Sequence, residues 1–72
     1  MNIKKCRMFS GKVYVIYYVK SLRNQLGDQT WRVLCGREGM KPKWTTLMTN
    51  YNRAPYLWID GVKLYLSDFN PA

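Results

Sequence analysis

The sequence predicts a mainly β protein, a small antiparallel sheet or barrel of about five strands in a single domain over residues 1–72. Three observations lead there. The run Lys12–Lys20 (KVYVIYYVK) is dominated by β-branched and aromatic residues, a strong strand composition. Asp60-Gly61 sits between two alternating runs, which is the strongest short hairpin signature because its tight turn needs positive φ at both central residues. Gly11, Gly27, Gly36, Gly39, Pro42, Pro55 and Gly61 punctuate the chain at a spacing that suits short strands.

The elements follow in order. Lys4, Lys5 and Arg7 form a basic cluster, read as an N-terminal arm over residues 1–8 or as the start of an edge strand. In Lys12–Lys20, period-two alternation puts Val13, Val15, Tyr17 and Val19 on one face, read as core. Lys12, Tyr14, Ile16, Tyr18 and Lys20 share the other face. Ser21–Asp28 then turns the chain. It extends the strand into a hairpin, or forms a short helix over 21–27 with Ser21 as N-cap and Gly27 as stop. Gln29–Cys35 returns as a strand, with Trp31, Val33 and Cys35 on one face and Thr30, Arg32 and Leu34 on the other. A competing helical stripe would be Trp31, Leu34 and Cys35 behind an Asp28 cap.

Residues 36–43 form a polar turn, and Trp44–Asn50 (WTTLMTN) is a strand by its threonines or a short helix over 42–50 after Pro42. The helical options at 21–27 and 42–50 define an α+β alternative. Residues 51–55 are loop. The two-residue turn at Asp60-Gly61 then fixes a register: Ile59 with Val62, Trp58 with Lys63, Leu57 with Leu64 and Tyr56 with Tyr65. That register gathers Leu57, Ile59, Val62, Leu64 and Leu66 on an aliphatic face, and Tyr56, Trp58, Lys63 and Tyr65 on the opposite one. Residues 70–72 are expected to fray. The strand order suggests a small SH3-like or OB-like barrel, although no motif of either is present.

Composition narrows the chemistry. Twelve Lys and Arg against four Asp and Glu give a net charge of +8 on 72 residues, with 47% hydrophobic and 15% aromatic residues. That is too apolar for disorder. The longest apolar run, Val13–Val19, is far short of the roughly 18–20 residues that span a bilayer. Met1–Arg7 has no following apolar stretch of signal-peptide type, so the chain is expected to be cytoplasmic and unprocessed. Cys6 and Cys35, 29 residues apart, fit neither a metal nor a redox motif and read as free thiols in a reducing compartment. With no histidine, and with Asp28, Glu38, Asp60 and Asp68 dispersed, no catalytic residue, metal site or cofactor is expected.

Both strand systems divide into an aliphatic side and a side of aromatics interleaved with cations. A packed second layer accounts for such a face, with tyrosine hydroxyls in water and lysine stems lying across the rings. So does a nucleic-acid platform, where bases stack on rings and cations meet phosphates. Charge favours the second. Residues 1–37 hold eight cations against Asp28 alone, a net +7, while residues 38–72 carry only +1. The expected function is low-specificity DNA or RNA binding through Lys12, Tyr14, Tyr18, Lys20, Arg32, Tyr56, Trp58, Lys63 and Tyr65. The alternative is a protein-interaction module, such as a small inhibitor or adaptor of the kind phages and other mobile elements encode, docking on an acidic surface. Monomer and homodimer both fit, and no membrane partner is expected.

Overall fold

A computed structural model describes residues 3–50 and 52–72. Seven strands are present: β1 (Lys4–Arg7), β2 (Val13–Arg23), β3 (Gln29–Arg37), β4 (Lys43–Asn50), β5 (Arg53–Ile59), β6 (Val62–Tyr65) and β7 (Asn70–Pro71). All pairings are antiparallel, in the order β6-β5-β4-β3-β2-β1-β7. The chain is a meander whose last strand returns to the first. A single 3-10 turn, Leu66–Asp68, joins β6 to β7, and the described residues contain no α-helix. None of them forms a helix long and apolar enough to cross a membrane.

This connectivity forces curvature. A flat sheet of seven strands would hold its edges about 29 Å apart, at about 4.8 Å per spacing. Yet the five residue steps from Tyr65 to Asn70 reach at most about 18 Å. The sheet therefore curls into a half-barrel. Its hollow holds Cys6, Tyr14, Ile16, Val33, Cys35, Leu47, Leu57, Ile59, Leu64 and Phe69.

The helical options at 21–27 and 42–50 are overturned. Ser21–Arg23 ends β2, residues 25–27 are turn and bend, and Lys43–Asn50 is β4. The Asn24 side-chain oxygen organises the β2–β3 turn, accepting the Leu26 and Asp28 N–H groups at 2.9 Å each. An Asx turn of this kind competes with a helix for the same donors. The basic stretch Lys4–Arg7 is bonded on both sides, to β2 and β7, rather than forming an arm, and Met1 and Asn2 lie outside the described residues. Asn70 and Pro71 pair with β1, and the Ala72 N–H donates to the Ile3 carbonyl at 2.8 Å, so the expected frayed tail is a strand. Arg53–Pro55, read as loop, opens β5.

The core face of β2 also differs. Between Ile16 and Tyr18 the register against β3 shifts, leaving Tyr17 as an extra residue. A bulge of this kind reverses the alternation. Tyr14 and Ile16 point into the core, whereas Tyr18 and Lys20 emerge on the outer surface. Val13 and Tyr17 are only half-buried, and Val19 is exposed. Val15 is buried, but on the outer side, where the 38–42 turn folds back over the sheet. There the Pro42 Cα lies 3.2 Å from the point a Gly36 Cβ would occupy, so glycine is needed for close approach. The Glu38 N–H donates to the Val13 carbonyl at 2.8 Å, and Lys5 pairs with Glu38 at 3.1 Å.

The C-terminal hairpin has the predicted register, residue for residue. Asp60 and Gly61 take φ of 51° and 78°, the positive values its turn requires.

Candidate nucleic-acid interface

The outer face is built by alternation on four strands plus the β2 bulge. Tyr18, Lys20 and Leu22 come from β2, Arg32 and Leu34 from β3, and Trp44 and Met48 from β4. Tyr56 and Trp58 come from β5, and Lys63 and Tyr65 from β6. Four of the five aromatic members are well exposed, Trp58 at 51%, Trp44 at 46%, Tyr18 at 42% and Tyr65 at 39%, and Tyr56 is half-buried.

Two of the predicted residues do not belong to this face. Tyr14 is 2% exposed and packs in the core, because the bulge separates it from Tyr18. Lys12 lies in the β1–β2 turn, eight residues before Lys20, which is about 26 Å along an extended strand. The other seven share the surface. Four more residues of this face were not among the expected site residues: Leu22, Trp44, Met48, and Leu34, which alternation had already placed beside Arg32. The signal for Trp44 and Met48 was the alternation of WTTLMTN, which becomes decisive once that segment is known to be a strand.

The face has two halves. In the first, Tyr18 and Trp44 meet edge to face with ring centroids 6.2 Å apart. Lys20, Leu22, Arg32 and Trp44 line a shallow depression beside them. In the second, Tyr56 and Tyr65 pair across β5 and β6, also at 6.2 Å, and the Lys63 ammonium sits 4.4 Å from the Tyr56 ring centre and 5.3 Å from that of Tyr65. A cation over those rings occupies the faces a base would stack on. Tyr56 and Tyr65 therefore serve to hold Lys63 in place, and the rings left for stacking are Tyr18, Trp44 and Trp58.

The halves meet at a corner in β4. Residues Lys43–Leu47 pair with β3, whereas Met48 and Asn50 pair with β5. Between Lys43–Thr45 and Trp58–Asp60 the strands diverge into a cleft of about 120 Å³. The Thr45 hydroxyl donates to the Trp58 carbonyl across it at 3.3 Å. Cys35 lies at the bottom of this cleft, and burial, with Asp60 nearby, pushes its thiol up to about 11. Burial, with Asp68 in second place, also raises Cys6. Both cysteines are free and buried, and neither favours the nucleophilic thiolate. Among the described residues, no group of three or more His, Cys, Asp or Glu is placed to hold a metal ion.

Arg32 carries a specific signal. Its Nε is buried without a hydrogen-bond partner. Leaving such a donor unsatisfied costs about 1–3 kcal/mol, and a methionine of similar reach would remove that cost. Arg32→Met is accordingly expected to keep or raise stability, by about 1 kcal/mol at the lower end of that range. Urea titration measures it, and a clear destabilisation would show that the guanidinium supports the fold.

No family model, curated protein or solved structure matches the chain. The functional reading therefore rests on the geometry of this face.

Proposed function

We propose that this protein binds nucleic acid through the outer face of its curled sheet, without catalysis and with little sequence preference. One observation carries the reading: Tyr18, Trp44 and Trp58 stand exposed on the same surface as Lys20, Arg32 and Lys63. Stacking of a base on an aromatic ring contributes about 1–3 kcal/mol and tolerates any base, because every base has a π-face. Cations beside the rings meet the phosphates and release counterions. The net charge of +8 adds a long-range attraction for any polyanion.

A titration with a fluorescein-labelled oligonucleotide at several salt concentrations tests this. Log K is expected to fall linearly with log salt, with a slope near −0.7 for each phosphate contacted on a single strand. Absence of binding at low salt, or a flat plot, would overturn the proposal.

The projecting β2–β3 hairpin favours a second reading. Its exposed Val19 and Trp31, on the side of the hairpin away from Lys20 and Arg32, and Leu26 in its turn offer apolar contacts that nucleic acid does not need. Such a patch suits a protein partner. If that reading holds, a protein partner recovered in a pull-down persists after nuclease treatment.

A further inference from the structure

The cleft at the β4 corner has chemistry that the rest of the face lacks. Elsewhere on this face neighbouring strands stay paired, apart from the bulge at Tyr17. Here the β4–β5 pairing stops at Met48 and Tyr56, and the strands part toward Lys43 and Asp60. Trp44 and Trp58 are among the residues that line the opening, one from each half of the face. Lys41 and Lys43 also line it, and both are exposed. The volume of about 120 Å³ is well below the roughly 300–1,000 Å³ of pockets that enclose drug-sized ligands. It has room for a single ring system with its edge inserted between the strands. Peptide groups that are not engaged in the β4–β5 ladder border the gap, and backbone N–H and C=O groups are strong partners for the polar edge of such a ring.

From this we infer that the cleft is a nucleotide subsite of the proposed interface, taking one unstacked base between Trp44 and Trp58 with its phosphate on Lys41 and Lys43. The inference rests on the nucleic-acid reading and deepens it, because it names the form of the partner. A base can enter a cleft only when it is free of its neighbours and its complement, so the partner is a single strand. In a duplex the π-faces are stacked and the Watson–Crick edges are paired. The position of the cleft fits this. It lies between the Tyr18–Trp44 half and the Trp58–Lys63 half, so a strand crossing the face drops one base at the midpoint and meets Lys20 and Arg32 on one side and Lys63 on the other. Asp60 at the rim repels phosphate, which orients the phosphate toward the two lysines.

The experiment compares two probes on the intact protein: a labelled twelve-nucleotide thymidine strand, and the same strand annealed to its complement. The single strand is expected to bind at least tenfold more tightly than the duplex and to quench tryptophan fluorescence. The double variant Lys41→Gln, Lys43→Gln is expected to weaken single-strand binding several-fold. It should also lower the salt slope by about 0.7 for each phosphate that the two lysines no longer neutralise. Both lysines are exposed, so the variant is expected to keep the wild-type circular dichroism spectrum and urea midpoint. Equal affinity for duplex and single strand, or an unchanged slope in the double variant, overturns the subsite while leaving the interface standing. Failure of both probes to bind at low salt overturns the interface and the subsite together.

Discussion

Leu57→Ala is expected to remove about 2–5 kcal/mol of folding stability. Leu57 is fully buried at the centre of the core, paired with the equally buried Leu64 across β5 and β6. The surrounding sheet is a curled ladder closed by a short connection, so it has little freedom to collapse into the space left behind. For a chain of 72 residues, total stability is of the order of 4–11 kcal/mol. The substitution thus removes between a fifth of that margin and all of it. No disulfide supports the fold, since Cys6 and Cys35 are free. Urea unfolding followed by circular dichroism provides the measurement, with Val19→Ala as the comparison. Val19 lies on the projecting hairpin and is exposed, so its truncation is expected to change stability by less than about 0.5 kcal/mol. Similar losses at the two positions would mean that the half-barrel interior is not the source of stability.

The parts of this fold that were legible in the sequence are those fixed by local chemistry. Asp60-Gly61 admits one tight turn, and that turn dictated the whole β5–β6 register and both of its faces. Composition identified β2 and β3 as strands. Alternation was correct for β3, where Val33 and Cys35 point inward and Arg32 and Leu34 outward. It failed on β2 because one extra residue at Tyr17 reverses the phase, and the amino-acid types show no sign of it. Tyr14 and Tyr18, four residues apart in a run of similar side chains, consequently lie on opposite sides of the sheet. β7 was invisible for a different reason. Asn70 and Pro71 have poor strand propensity, and they pair only because the meander brings them to β1. Trp44 belonged to a segment whose threonines and leading proline pointed in different directions, and pairing with β3 decided it.

The charge asymmetry between the two halves of the sequence also acquires a different meaning. The cation-rich first half supplies Lys20 and Arg32 to the face, but Lys5 is engaged with Glu38 and Lys12 sits at the far end of β2. The second half, nearly neutral by count, supplies Lys41, Lys43 and Lys63 around the cleft and its neighbouring rings. The field over the interface thus depends on where the strands carry the charges, and the count in each half does not predict it.

Replacing both Trp44 and Trp58 with alanine is expected to weaken single-strand binding by about 2–6 kcal/mol, if each ring contributes the usual 1–3 kcal/mol. The two rings flank one cleft, so the losses need not add, and the two single variants measure their coupling. A double loss smaller than the sum means that both rings hold the same base. A sum that closes means that they stack on different ones. Each side chain is about half exposed, so truncation removes little buried surface, and the urea midpoint of each single variant is expected to stay close to wild type. This separates stacking from packing. If the rings were only the cover of a second packed layer, the same substitutions would lower stability and leave affinity governed by charge alone. Affinity that survives the double replacement, with an unchanged salt slope, would mean that the cations bind phosphate without help from the aromatic surface.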